Sequence, residues 1–245
     1  MKIYPYIKLK SAKGEKLFAL LIDPDKVQGA SLSRLIRKTK KGGVDLYFVG
    51  GSLISNISHE SIVQTIKKES NIPVVLFPGN SLQIDPAADA LLLLSLISGR
   101  NAEMLIGKHV MAAPYIKASK LEVIPTGYMV IESGRPTSVS YISHSHPIPA
   151  DKDDIAACTA LAGEMLGLDL IYLDAGSGAM NPVPTNMIKA VHEAVKIPIV
   201  VGGGIRTADQ AATACFSGAD VVVVGNAIEE NESLISVMAR AIHNV

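Results

Sequence analysis

Five short stretches of this chain put chemistry-bearing residues at the ends of apolar runs. Asp23, Pro24, Asp25 and Lys26 follow LFALLI, and Gly50, Gly51 and Ser52 follow LYFV. Asp174, Gly176, Ser177 and Gly178 follow or end LIYLD. Gly202, Gly203, Gly204 and Arg206 follow IPIVV, and Gly225 and Asn226 follow VVVV. Glycine turns let backbone N–H groups approach a ligand closely, and a helix N-terminus behind such a turn favours an anion. VVGGGIRT opens a helix at Thr207 and VVVVGNAIEE opens another near Ala227. Two adjacent turns of this kind read as a phosphate site rather than as flexible loops. The DAGSG turn adds further N–H donors and the Ser177 hydroxyl. Arg206 fits a phosphate contact and a helix cap equally well, and Lys26 is similarly open. Asp23 and the Ser52 hydroxyl are hard oxygen ligands of the kind Mg²⁺ takes, with water and substrate phosphate completing the shell. DPD is also common turn chemistry, so residue types alone support metal binding and loop capping equally.

Other chemistries find little support. His144 and His146 form an HSH pair, but no further Cys or His stands nearby at zinc-ligand spacing. All six histidines read as surface or structural. No nucleophile elbow, Walker sequence or CxxC is present. With 23 basic and 23 acidic side chains the formal charge is zero, so a nucleic-acid partner is not expected. Apolar residues make up 48% of the 245 positions and charged ones 19%, which excludes a disordered chain. The two cysteines, Cys158 and Cys215, read as small buried hydrophobes in a reducing cytoplasm. MKIYPYIKLK has no apolar run of signal-peptide type. ADALLLLSLIS and ADVVVVGNAI fall short of the roughly 18–20 apolar residues that a spanning helix needs.

The elements that position these turns follow a simple alternation. Apolar runs near 17–23, 44–51, 72–79, 89–95, 121–132, 168–176, 197–204 and 219–226 predict eight strands. Unbroken Val, Ile and Leu runs suit a parallel sheet buried on both faces. Helical spacing fills Ser31–Lys41, Ser58–Glu69, Asp151–Leu166, Thr185–Val195, Thr207–Phe216 and Ile228–His243, with Asp151 as an expected N-cap. Eight strand–helix units in one domain over residues 1–245 predict a TIM (β/α)8 barrel, an α/β fold of about 250 residues. A doubly wound sheet would carry GxGxxG after its first strand, whereas LIDPDK stands there. The third and fourth runs begin at 72 and 89, too close for a full crossover helix. PGNSLQIDPAAD is therefore expected to replace that helix with a loop or short turn. Residues 132–150, ESGRPTSVSYISHSHPIPA, form an insertion rich in Ser, Pro and His. Tyr141 within it fits a subunit contact or an ordinary surface position.

Taken in order, LIDPDK at 21–26, VGGS at 49–52, YLDAGSGA at 172–179, VGGGIRT at 201–207 and VVGNAIE at 223–229 resemble the geranylgeranylglyceryl phosphate synthases. The resemblance runs from about residue 15 to the C-terminus and is closest to the family's second subgroup. It implies a modified barrel lacking one regular helix. It also implies Mg²⁺-dependent transfer of a C20 prenyl group from its diphosphate to the C3 hydroxyl of sn-glycerol 1-phosphate. Asp23 and Ser52 would hold Mg²⁺ on the diphosphate. Tyr172, Leu173, Asp174, Ala175, Gly176, Ser177 and Gly178 would line the glycerol phosphate. Gly203, Gly204, Gly225 and Asn226 would grip its phosphate. Asp174 would accept the hydroxyl proton and Tyr172 would orient the glycerol. Asp174 stands where the motif usually has Glu, which keeps the carboxylate but shortens its reach, and Ile22 stands where other members carry a basic residue. The resemblance further implies a cytoplasmic enzyme, a homo-oligomer, in transient contact with a membrane surface. Two other readings fit a phosphate barrel: an isomerase or cyclase of amino-acid biosynthesis, and a non-catalytic phosphate binder.

Overall fold

Each apolar run becomes a parallel strand, and the set closes on itself. In the computed structural model, which describes residues 2–51, 59–80 and 83–245, the strands are β1 (Leu17–Ile22), β2 (Leu46–Val49), β3 (Val74–Leu76), β4 (Ala90–Leu96), β5 (Glu122–Val130), β6 (Leu170–Asp174), β7 (Ile199–Gly202) and β8 (Val221–Val224). They pair in sequence order, and β8 returns to β1 with Leu17 opposite Val221. Ser52 lies outside the described residues.

Side-chain alternation divides each strand between two cores. Leu17, Ala19, Leu46, Phe48, Val75, Leu170, Tyr172, Val221 and Val223 fill the barrel. Their neighbours Phe18, Leu20, Tyr47, Ile171, Leu173 and Val222 face the helical layer. That layer comprises α2 (Gly29–Gly42), α3 (His59–Glu69), α4 (Lys108–Ser119), α6 (Asp153–Met165), α7 (Thr185–Ala194), α8 (Ala208–Phe216) and α10 (Leu234–His243). The described residues between β3 and β4 carry no helix, in agreement with the short interval.

Several elements were not legible locally. Helix α1 (Ile3–Ala12) packs Ile3 and Ile7 into the barrel core. Its first N–H groups, on Ile3 and Tyr4, donate to the Glu122 carboxylate of β5 at 2.5 and 2.9 Å. A cap supplied from 118 residues away leaves no local signal. A π-helical turn (Glu103–Gly107) leads into α4, and the short α5 (Ser138–Ile142) lies inside the Ser-rich insertion. The expected helix Ile228–His243 is two: α9 (Asn226–Glu230) and α10 part at Asn231, whose Oδ1 accepts from the N–H and hydroxyl of Ser233. Asp151 is not the N-cap of α6. Lys152 holds that position, Asp153 and Asp154 occupy the first turn, and Asp151 pairs with Lys152 at 3.3 Å. Cys215 is buried, but Cys158 is exposed.

At the foot of the barrel, His243 Nε2 meets Asp45 Oδ2 at 2.8 Å. The bond to Asp45 raises the His243 pKa above 6.5, against the opposing effect of burial. A raised histidine contributes stability in full below its unfolded pKa and loses it as pH rises through the folded one. The pair is partly exposed, with His243 at 36%, and water screens it. The melting temperature is therefore expected to lose about 1 °C from this pair between pH 6 and 8. A His243→Asn variant should lack that component, and identical pH–melting curves for the two proteins would refute the linkage.

Candidate functional site

Strand parity aims Asp174 into the barrel. Leu170, Tyr172 and Asp174 share the inward face of β6, and Asp174 is its uppermost member. The carboxylate is 6% exposed. Its Oδ1 accepts the Gly176 N–H at 2.7 Å and its Oδ2 accepts the Tyr128 hydroxyl at 2.5 Å. Burial raises the Asp174 pKa above the usual 3.8, and both hydrogen bonds oppose the rise. Tyr172 lies one layer below. Its ring stacks on Phe77 at 5.2 Å and meets Tyr128 edge-on at 5.5 Å. Burial and the neighbouring Asp174 hold both phenols well above 10, so they stay protonated donors. Tyr128 was missed in the sequence, although it sits opposite Tyr172 in the parallel register.

The same parity narrows the YLDAGSG segment. Leu173 and Ala175 are fully buried in the strand–helix layer and do not line the cavity above the barrel. The Ala175 N–H is spent on Gly202 O at 3.0 Å. Tyr172, Asp174, Gly176, Ser177 and Gly178 do line it, together with Gly203, Gly204, Gly225, Asn226 and Asp23. Three glycine turns thus converge on one cavity. Among the described residues nothing accepts from the N–H groups of Ser177, Gly178, Gly203 or Gly204. N–H donors of this kind around a cavity are the partners that an anion takes. The N-terminus of α8 contributes less than its sequence suggested. Thr207 and Gln210 close a capping box there, and Gln210 Oε1 also accepts from the Arg206 N–H. Gly203 has φ +80°, and a Cβ there would fall 2.6 Å from Gly176 N and 2.7 Å from Asp174 Oδ1. Only glycine allows the two turns to meet so closely.

Asp23 faces the cavity from the end of β1, and of the two roles that the sequence left open the turn cap is present. Its Oδ1 caps the turn by accepting the Asp25 N–H at 3.0 Å. Its Oδ2 lies 3.8 Å from Lys26 Nζ, which pairs more closely with Glu229 at 2.9 Å. Burial raises the Glu229 carboxyl above its ordinary range against the pull of Lys26. Gly51 passes within 3.6–3.7 Å of the Asp23 carboxylate, measured from where its Cβ would stand. One carboxylate beside an anion site suits Mg²⁺, which keeps waters and phosphate oxygens in its shell.

A second cavity of opposite character adjoins the first. Leu91, Leu93, Met104, Ala112, Ile116 and Val139 line it, and it shares Phe77 and Gly51 with the polar one. It opens where β3 and β4 lack an intervening helix among the described residues. The π-helical turn supplies Met104, and a π turn at a functional cavity is a recurrent feature. His109, in the same wall, is held by Leu94 O at 2.8 Å. Tyr141 is 79% exposed at the rim of the insertion.

Known proteins share the fold and much of the sequence. The sequence model of the PcrB family matches residues 10–245. A geranylgeranylglyceryl phosphate synthase of Spirosoma linguale is 56% identical over 229 residues, covering 94% of this chain and 92% of its own. The enzyme of the same name from Chitinophaga pinensis is 55% identical over 242 residues, covering 99% and 96%. The crystal structure of (S)-3-O-geranylgeranylglyceryl phosphate synthase from Thermoplasma acidophilum, in complex with its substrate sn-glycerol-1-phosphate, superposes with a TM-score of 0.94 at 32% identity over the whole of both chains.

Proposed function

The chain belongs to the PcrB family, and from that premise we propose that it is a geranylgeranylglyceryl phosphate synthase. It transfers the geranylgeranyl group of geranylgeranyl diphosphate to the C3 hydroxyl of sn-glycerol 1-phosphate and releases diphosphate. The observation that carries this reading is the junction of two unlike cavities at Phe77 and Gly51, beside Asp23. A prenyl diphosphate is itself half apolar and half anionic, and its reacting carbon lies where the halves meet. Neither an isomerase nor a cyclase of polar metabolites needs the apolar half.

The parts act as follows. The turn N–H groups at Gly203, Gly204, Gly225 and Asn226 hold the phosphate of the acceptor, and Gly176, Ser177 and Gly178 line its glycerol. Fixing the phosphate orients the distant C3 hydroxyl as the nucleophile. The Asp174 carboxylate holds that hydroxyl and takes its proton, while the protonated Tyr172 donates to the glycerol. Mg²⁺ held by Asp23 and Ser52 would neutralise the departing diphosphate. The leucine-lined cavity receives the tail and keeps water from the allylic carbon. One barrel domain, residues 1–245, supplies the site. Among the described residues no helix is long and apolar enough to cross a membrane. A polar acceptor and a lipid product fit a cytoplasmic enzyme that meets the bilayer transiently. Ile106, Val110, Met111 and Tyr115 expose apolar surface on the outer side of the apolar cavity, where assembly into a homo-oligomer would cover it.

The test is a transfer assay with labelled glycerol 1-phosphate, Mg²⁺ and C10 to C35 prenyl diphosphates, followed by lipid extraction. Label in the organic phase with a C20 optimum is expected. Binding of glycerol 1-phosphate without transfer from any donor would instead favour a binding protein. Gly203→Val adds a branched side chain where no Cβ fits. It should weaken glycerol 1-phosphate binding by about 100-fold, since several hydrogen bonds move together. Wild-type affinity by calorimetry would place the phosphate elsewhere.

A further inference from the structure

Building on the acceptor site just proposed, we propose that Arg135 and Arg206 form a cationic clamp that selects a phosphorylated acceptor. The two side chains come from segments far apart in sequence and meet on one turn. Arg135 donates from Nε, at 2.7 Å, and from Nη2 to the Gly178 carbonyl. Arg206 donates from Nη2 to Ala179 O at 2.6 Å and from Nη1 to Met180 O at 2.9 Å. Three successive carbonyls after β6 are thus held by two guanidinium groups. The Ser177 and Gly178 N–H groups, which have no acceptor among the described residues, belong to the same turn.

The charges around the cavity point the same way. The polar cavity is lined by Asp23, Asp174, Glu229 and Glu230 on the acidic side and by Lys26, Arg135 and Arg206 on the basic side. Lys26 is committed to Glu229 and Asp23. Neither arginine pairs with a carboxylate among the described residues. Their partners are neutral carbonyls, so two positive charges remain for an anion. A phosphate dianion entering a cavity with four acids needs that compensation.

The insertion at 132–150 thereby acquires a task. Asn181 N–H donates to Ser133 O at 3.0 Å, and Thr137 lies where a Cβ on Gly176 would fall 2.7 Å from its Oγ1. These contacts lay the segment against the DAGSG turn and bring Arg135 and Ser138 into the cavity wall.

The experiment compares Arg135→Gln, Arg206→Gln and Arg135→Lys with the wild type. Glutamine can still donate one N–H to a carbonyl but carries no charge. Calorimetry would measure sn-glycerol 1-phosphate and, separately, the prenyl diphosphate. Steady-state assays would give kcat and both KM values. Each glutamine variant is expected to bind glycerol 1-phosphate about tenfold more weakly, the loss of one charge-assisted contact to a partly exposed group. The KM for the prenyl diphosphate and kcat should move less than about threefold, and Arg135→Lys, which keeps the charge but not the forked bond, should recover part of the acceptor affinity. Unchanged acceptor affinity in both glutamine variants overturns the clamp. So does an equal loss for both substrates, which would give the arginines a structural or general electrostatic role. A wild-type protein that binds no glycerol 1-phosphate overturns the acceptor reading itself, and the clamp with it.

Discussion

Replacing Asp174 by alanine is expected to lower kcat by about 10²- to 10⁴-fold, the range that a positioned general base contributes. The affinity for glycerol 1-phosphate should change far less, because the phosphate is held by the turns after β7 and β8. The carboxylate is fixed from two sides, by the Gly176 N–H and the Tyr128 hydroxyl, and is screened from water by burial. Alanine leaves both donors unpaired, so Asp174→Asn is the control that keeps the shape without the base. A loss confined to KM in both variants would refute the base role. The pH profile supplies an independent check. Asp174 acts only when ionised, and burial raises its pKa from 3.8. The acid limb of kcat/KM should therefore lie above the ordinary aspartate range. The Tyr128 bond lowers that pKa, so Tyr128→Phe should move the limb to higher pH. A limb that stays in place, or moves down, would detach it from Asp174.

Asp23→Asn should abolish Mg²⁺-dependent turnover, by about a thousandfold, since a metal at a developing oxyanion contributes several kcal/mol. Asparagine keeps an oxygen for the Asp25 N–H, so the turn after β1 and the melting temperature should persist. The variant changes one charge beside Lys26 and leaves the Lys26–Glu229 pair intact. Metal affinity can be read apart from activity, by titrating Mn²⁺ in the presence of the prenyl diphosphate and following its electron spin resonance signal. Unaltered Mn²⁺ binding with wild-type rates would remove Asp23 from the metal site and leave it as a turn cap.

The reach of the sequence can be argued from β6 and its neighbours. LDLIYLDAG names a buried strand with a carboxylate at its end, and the period of two puts Asp174 on the face of Leu170 and Tyr172. That is a property of a few adjacent residues, as are the glycine turns and the interval too short for a helix after β3. Eight such strands joined by crossovers leave a closed parallel barrel as the compact solution. The alternation also excludes Leu173 and Ala175 from the cavity, an implication that a motif read as one block conceals.

What required the tertiary structure was every contact between residues distant in sequence. Tyr128 reaches Asp174 because barrel closure sets β5 and β6 in register, 46 residues apart. Glu122 caps α1 across 118 and 119 residues. The apolar cavity exists because the segment after β4 folds over the gap beside β3. Arg135 and Arg206 share a turn because the insertion packs onto it. Periodicity and turn chemistry are local and are written in short windows of sequence, whereas register, packing and charge compensation depend on closure of the whole barrel.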